Sequence, residues 1–372
     1  MQKPNVCFIL TDAISFQMLC RGQFEYFKEN SDFDMTFVSG GDEHDFAKLI
    51  KRKVGNVFDA KLVRKPSVIR DFKSLITLIS YFSTNRFDLV VYSTPKALLL
   101  GSIATSITRH NNTIAIIRGR AYENYSGTKR KIYQLLDKIS LLSSKKVIFI
   151  SDSLRESYLE EGLTSRSKSY LLGSGSSNGV DTRRFQPRAS TTKGSFTVLV
   201  AGRICIDKGI HDLAEVIRAT RNKDIIFKLV GPIEDSSSEA ILSSLMSDYP
   251  NIIHVPYTDS IENHFIEADL HLFLTHREGF GNVAIEAASC GIPTFAYDVI
   301  GVRDSVKEGI SGRKFSFKDT ASIAQAIDEA SINLHFNRKY PLAREWAIKN
   351  FAQEKVWSNY LKFYQDCLSF IL

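Results

Sequence analysis

The chain has 372 residues, enough for two domains at roughly 100–200 residues each. Its 44% apolar and 24% charged residues exclude a disordered chain, a collagen-like repeat and a small disulfide scaffold. The net charge of +7 is unevenly spread: residues 1–185 carry 28 basic and 18 acidic side chains, and residues 186–372 carry 20 and 23. A basic first half points to anionic partners there, namely membrane lipid, phosphate or nucleic acid.

The first element is the apolar run 6–10, cut off by Thr11-Asp12. It is too short for a signal-peptide core and reads as a buried strand. Strand-like runs recur at 35–38, 89–92, 113–117 and 147–150, with helical spacing of apolar residues over stretches such as 67–81 and 129–142. The small-residue segment Gly173-Ser174-Gly175-Ser176-Ser177-Asn178-Gly179 follows, either an interdomain hinge or a surface loop. A polar stretch then leads to Gly194, and the alternation starts again: strands at 197–201, 226–230, 252–255, 270–274 and 294–297, with helices such as 209–220 and 282–290. Strand, helix, strand in series predicts a parallel sheet covered by helices, here twice over. The expected fold is α/β, with two Rossmann-like doubly wound domains, 1–185 and 186–350, and a closing helical segment 351–372. No run approaches the roughly 18 apolar residues of a membrane-spanning helix. Five scattered cysteines without a C-x-x-C pair argue against disulfides and zinc and for a reducing, cytoplasmic setting.

Chemistry concentrates in the second half. Arg277-Glu278-Gly279-Phe280-Gly281-Asn282 follows the strand 270–274 and leads into a helix, with Glu286 one turn inside it. The glycines permit a tight turn, and the helix start is a ready anion site. Two carboxylates flanking such a turn suit the hydroxyls of a nucleotide sugar. The same residues also fit a plain helix-start turn with two solvated glutamates. Gly202-Arg203-Ile204-Cys205-Ile206-Asp207-Lys208-Gly209 opens the second series just beyond a strand end, where open α/β sheets bind ligands. Arg203 and Lys208 there are either diphosphate ligands or ordinary surface cations. Gly231-Pro232 and the turn at Tyr257 complete a base and ribose pocket. His276 lies close by and is read as structural or solvated, with a pocket-lining role as the alternative.

Together these motifs resemble the retaining glycosyltransferases of family 4: G-R-x4-K-G at 202–209, E-x7-E at Glu278 and Glu286, and A-x2-C-G-I-P at 287–293. Ser126-Gly127-Thr128-Lys129-Arg130 and the S-G-S-S-N-G-V-D run 174–181 look more narrowly like the subgroup building bacterial capsule, exopolysaccharide and O-antigen. The resemblance implies a GT-B fold, two Rossmann-like domains facing a central cleft. It implies a nucleotide diphosphate sugar donor, a UDP-sugar, in the second domain, and a lipid-diphosphate-linked saccharide acceptor entering from the first. The closing helix is expected to cross back to the first domain. Carried over by position, Arg203 and Lys208 hold the diphosphate and support the leaving group, while Glu286 binds the ribose. Glu278 contacts the transferred sugar, in a subsite shaped by the backbone of Gly279, Phe280, Gly281 and Asn282. Gly202, Gly231 and Tyr257 complete the donor pocket. No cofactor or metal is expected, since nothing in the sequence reads as an Asp-x-Asp metal site. Retention is implied through same-face attack assisted by the departing phosphate, with Glu278 not a nucleophile.

Two departures stand out. Arg118-Gly119-Arg120 occupies the place of the family's histidine-glycine pair, giving Arg118 a catalytic, phosphate-binding or acceptor role. Thr11-Asp12-Ala13-Ile14-Ser15 replaces the glycine-rich loop often found after the first strand. Arg118, Arg120, Lys129 and Arg130 are expected on the acceptor or membrane side, toward the anionic inner leaflet of the plasma membrane. Nucleic acid is not expected, since no nucleic-acid-binding motif accompanies the charge. Two other readings fit the motifs: a GT-B epimerase acting without an acceptor, and a non-catalytic nucleotide-sugar-binding subunit.

Overall fold

The computed structural model describes residues 3–188, 194–333 and 336–369. The predicted polar stretch up to Gly194 and the last three residues of the predicted closing helix lie partly or wholly outside these. The chain divides into two compact units: residues 1–178 with 354–372, and residues 179–353. Residues 179–185, expected in the first domain, thus group with the second, and the closing helix groups with the first.

In unit 1 the chain alternates β1 (Asn5–Asp12), α1 (Ala13–Leu19), α2 (Gln23–Asn30), β2 (Asp34–Gly40), α3 (Glu43–Lys51), β3 (Asn56–Asp59) and α4 (Val68–Thr84). It continues with β4 (Leu89–Ser93), α5 (Pro95–Ile107), β5 (Thr113–Ile117), α6 (Gly127–Leu142), β6 (Lys146–Phe149), α7 (Asp152–Glu160) and β7 (Ser169–Leu171). The seven strands pair in parallel in the order β3-β2-β1-β4-β5-β6-β7. β1 is central, with Val6 opposite Met35 on one side and Leu89 on the other. Its residues Val6 to Leu10 are all buried, as a strand covered by helices on both faces requires. Strand order reverses at β1 and β4, so α4, α5 and α6 share one face, with α4 packed on α5 and α5 on α6.

Unit 2 repeats the scheme with β8 (Thr197–Ala201), α8 (Ile210–Ala219), β9 (Ile226–Val230), α9 (Ser236–Asp248), β10 (Ile252–Val255), α10 (Ile261–Glu267) and β11 (Leu270–Phe273). It closes with α11 (Asn282–Ser289), β12 (Thr294–Tyr297), α12 (Val302–Ser305), β13 (Gly312–Phe315), α13 (Thr320–Ser331) and α14 (Ala343–Phe351). Its six parallel strands run β10-β9-β8-β11-β12-β13 around a core that includes Val198, Leu229, Leu272 and Ile323.

The last helix, α15 (Gln353–Ser369), packs in unit 1. Tyr364 meets Phe8 and Phe27 at ring distances of 5.9 and 5.8 Å, inside a cluster that also holds Phe24 and Phe37. Each such buried ring contributes about 1.5–3 kcal/mol, which anchors a helix whose sequence position is far from the strands it covers. Gly22 makes room for Trp357: a Cβ there would lie 2.7 Å from the indole. The segment around Gly173 to Asn178 is also part of this packing, since Trp357 Nε1 donates to Asn178 Oδ1 at 2.8 Å. Where the chain enters and leaves unit 2, Val180 and Ala352 form a parallel bridge. Among the described residues no helix is long and apolar enough to cross a membrane.

Candidate active site

The site grows from the carboxyl ends of β8, β9 and β11. Past β8 the backbone still pairs with the loop after β9: Gly202 N donates to Val230 O at 2.9 Å and Ile204 N to Pro232 O at 2.8 Å. A Cβ on Gly231, at φ +150°, would lie 1.8 Å from Gly202 O, so no side chain fits between the two strand ends. Gly209, at φ +82°, ends a single 3₁₀ turn and starts α8, and a Cβ there would stand 2.2 Å from Leu274 O. That close approach presses the loop carrying Lys208 against the end of β11.

As a result Lys208 and Glu278, 70 residues apart in sequence, form an ion pair, and Lys208 Nζ is 3.4 Å from Thr275 Oγ1. Thr275 is buried and donates to Arg277 O at 2.9 Å, which fixes the loop before Glu278. Arg277 reaches back to Asp207 at 3.1 Å. Burial works to raise the Asp207 carboxyl, but the Cys205 thiol and the Arg277 guanidinium outweigh it and hold it below its ordinary value. Arg203 is not beside Glu278. It pairs with Glu234 at 2.6 Å, and both side chains are about half exposed. The two predicted phosphate cations therefore sit in separate ion pairs.

Gly281, at φ +85°, caps α11 and has no side chain to cover the positive end of the helix. A Cβ on it would lie 2.8 Å from the Phe273 ring, and one on Gly301 would lie 2.5 Å from Glu278 O. The turn is thus clamped from two sides. Phe280 turns its side chain into the core against Phe351, at a ring distance of 5.2 Å, which leaves only backbone to shape a subsite. Glu286 lies one turn into α11, half-buried, and its carboxylate has no hydrogen-bond partner among the described residues. Burial raises it to about 7; Arg184 opposes the shift and Glu262 adds to it. Arg184 and Glu262 are themselves paired at 2.7 Å, and Arg184 also donates to Asp259 O. Tyr257, 72% exposed, donates to Asp259 Oδ1 at 2.6 Å, so the tyrosine turn adjoins the Arg184 anchor.

His276 is structural: its Nε2 is 2.8 Å from Asp212 Oδ2, the same oxygen that accepts from Tyr297 at 3.0 Å. Cys205, Asp207 and Glu234 bring potential metal-ligand atoms within 4.8 Å of one another. Burial pushes the Cys205 thiol up to about 12, and the two carboxylates already face Arg277 and Arg203, so this donor set is poorly suited to a cation.

In unit 1, Arg118 follows β5 and donates to Ser93 Oγ at 2.8 Å, with Nη2 3.6 Å from Cys20 Sγ and Nη1 buried without a partner. Arg120 is taken up by Glu123 and Glu161. Arg130 lies 3.3 Å from Glu161, and Lys129 sits over the Tyr125 ring at 4.1 Å. Asp12 ends β1, caps α1 through Ile14 N and pairs with Arg64 at 3.1 Å.

Two parallel-sheet, Rossmann-like units, each with helices between its strands, are the architecture of the GT-B fold. Residues 181–340, nearly all of unit 2, match the family described as glycosyl transferases group 1. The chain is 29% identical over 340 residues to the capsular polysaccharide biosynthesis glycosyltransferase CapM of Staphylococcus aureus, covering 88% of each. It is 23% identical to the UDP-Gal:α-D-GlcNAc-diphosphoundecaprenol α-1,3-galactosyltransferase of Escherichia coli, over 80% of each. HepE of Anabaena, solved in complex with UDP and glucose, superposes with a TM-score of 0.78 at 16% identity, over 98% of this chain and 100% of that one. Residues 181–340 thus carry a group 1 glycosyl transferase domain, and the chain is a glycosyltransferase with the GT-B fold.

Sequence reasoning missed Thr275, Asp207, Glu234, Arg184 and Glu262. Asp207 and Thr275 stand inside or beside the motifs and were within reach. Glu234 follows the end of β9 and Glu262 lies in the first turn of α10, and neither carries a local signal.

Proposed function

We propose that the chain transfers a sugar, with retention of configuration, from a UDP-sugar to a lipid-diphosphate-linked saccharide in bacterial surface polysaccharide synthesis, at the inner face of the membrane. The observation that carries the donor reading is the half-buried Glu286 carboxylate, without a hydrogen-bond partner among the described residues, one turn behind the Gly281 start of α11 and the Lys208–Glu278 pair. A carboxylate in that state is suited to accept both hydroxyls of a ribose. The names of the relatives support the acceptor class: capsule synthesis for one, diphosphoundecaprenol for another.

The chemistry follows from charge. Breaking the bond between sugar and diphosphate puts negative charge on the leaving group, and groups already fixed in place stabilise it without reorganising. Lys208 and the positive end of α11 supply that, with no metal required. Arg203 joins by exchanging Glu234 for phosphate. A half-exposed ion pair is worth only about 0–1 kcal/mol, so a doubly charged diphosphate displaces it readily. Releasing Lys208 to phosphate frees Glu278 to accept from a sugar hydroxyl. The departing phosphate then takes the proton of the acceptor hydroxyl on the same face.

Purified protein given a UDP-sugar panel and polyprenyl-diphosphate saccharides is expected to release UDP only when donor and acceptor are both present. Release of no UDP with any pair, together with unchanged donor binding in Glu286→Ala, overturns the reading. Conversion of the sugar nucleotide without acceptor would instead favour an epimerase.

A further inference from the structure

The face of unit 1 built by α4, α5 and α6 presents apolar side chains to solvent beyond what its core needs. On α4, Val68, Ile69, Phe72 and Ile76 are 87, 71, 62 and 51% exposed. Their spacing places them within about 100° of one another around the helix, on a stripe separate from the buried Ser74, Leu78 and Phe82. On α6, Ile132, Leu135, Ile139 and Leu142 are exposed at spacings of three and four residues, again one stripe. Between the two helices lies α5, whose Ile107 is 57% exposed. Two amphipathic helices of 17 and 16 residues thus carry an outward apolar stripe in addition to the side each turns to the sheet.

Charge selects the occupant. Residues 61–84 contain five basic side chains and one acidic, and residues 127–146 contain six and one. Both acids are engaged elsewhere: Asp71 pairs with Lys96, and Asp137 accepts from the buried Tyr158 at 2.8 Å. Burial raises Asp137 to about 6, with the Tyr158 bond opposing and Glu161 adding. Lys65, Arg70 and Lys73 beside the α4 stripe are exposed, as are Lys131, Lys138 and Lys145 beside the α6 stripe. Two copies of so basic a face would repel each other, which disfavours self-association through it. An apolar ridge flanked by cations fits the boundary between lipid headgroups and acyl chains in an anionic bilayer.

We propose that the α4–α6 face of unit 1 is the surface by which this protein docks on anionic membrane, with the α4 and α6 stripes inserted and the flanking lysines and arginines on the headgroups. Its purpose rests on the lipid-linked acceptor proposed above. The assignment differs from the basic residues singled out by sequence: Arg118 and Arg120 are occupied inside unit 1, while Lys131, Lys138, Arg70 and Lys73 carry the charge.

The test is co-flotation of the full chain with vesicles of phosphatidylcholine alone or mixed with phosphatidylglycerol. Wild type is expected to float with the mixed vesicles and not with the neutral ones. Lys131→Glu with Lys138→Glu should weaken that partition about thirtyfold, from about fivefold per lysine near the surface. Leu135→Ser with Ile139→Ser should weaken it tenfold or more. Arg218→Glu, on the exposed side of α8 in unit 2, should change nothing. All variants alter exposed side chains, and an unchanged melting curve verifies the fold. Flotation of either double variant at the wild-type level overturns the proposal. So does a wild-type dimer that the apolar double variant dissociates. UDP binding measured on the same samples separates the two readings, because its failure in wild type sinks the donor assignment and leaves the flotation result standing.

Discussion

Units 1 and 2 share one architecture and use charge in opposite ways. Unit 1 carries 28 basic and 19 acidic side chains, net +9, and unit 2 carries 20 and 22, net −2. In unit 2 the cations that matter are few and each is held by a named carboxylate: Lys208 by Glu278, Arg203 by Glu234, Arg277 by Asp207, Arg184 by Glu262. In unit 1 the excess spreads over exposed helix faces beside bare apolar stripes. The difference teaches that net charge is a poor locator of a phosphate site. Paired cations at strand ends can form one in a mildly acidic unit, whereas a diffuse cationic face suits a diffuse anionic partner.

The largest effect that would break this comparison comes from Lys208. Lys208→Ala is expected to lower kcat about 10²- to 10³-fold, as loss of one fixed group facing a developing charge does, with a smaller change in KM. An unchanged steady-state rate would move the chemistry away from unit 2. Next is backbone crowding. Gly209→Ala forces a Cβ against Leu274 O at a left-handed φ, and should cost about 2–4 kcal/mol in a denaturant titration. Gly119→Ala in unit 1, at φ +155° with nothing within 4 Å, should cost about 1 kcal/mol. Equal losses would show that the clamp on the Lys208 loop is not special.

Glu286→Gln should weaken UDP affinity about tenfold by calorimetry at pH 8, the worth of a hydrogen bond to a charged group. Because burial places the wild-type carboxyl at about 7, wild-type affinity should fall as pH drops through that value, and the glutamine variant should show no such step. The smallest effect is on stability. The native state holds this proton from the ordinary 4.5 up to about 7, so it contributes stability below that window and loses it as pH rises through it. Glu286→Gln should therefore stabilise the protein by about 1–3 kcal/mol at pH 8 and by much less at pH 5.

The ten apolar runs read from sequence all became strands, and the central ones, such as β1, β4 and β5, are buried along nearly their whole length. β3, β7 and β13 went unread: Asn-Val-Phe-Asp, Ser-Tyr-Leu and Gly-Arg-Lys-Phe are short edge strands whose outer residues stay partly exposed, which removes the apolar run. Close to the expected boundary at 350/351, Ala352 forms a bridge to Val180, and from Glu354 the chain groups with unit 1. In the site, Lys208, Glu278 and Glu286 were legible because glycines and a strand end mark their loops. Their pairing was not, since only Gly209 against Leu274 brings the two loops together. The separation of Arg203 from Lys208 was likewise invisible, because Glu234 enters from a third strand end. The apolar stripes of α4 and α6 were seen as helical periodicity, but sequence could not tell which stripe was buried.

The most direct test of the donor site is calorimetric titration of UDP into wild type and into Lys208→Ala with Glu286→Gln. Saturable binding by wild type, weakened at least tenfold in the double variant with its melting curve intact, is the predicted result. Equal affinity in the two proteins, or no binding by wild type, would contradict it.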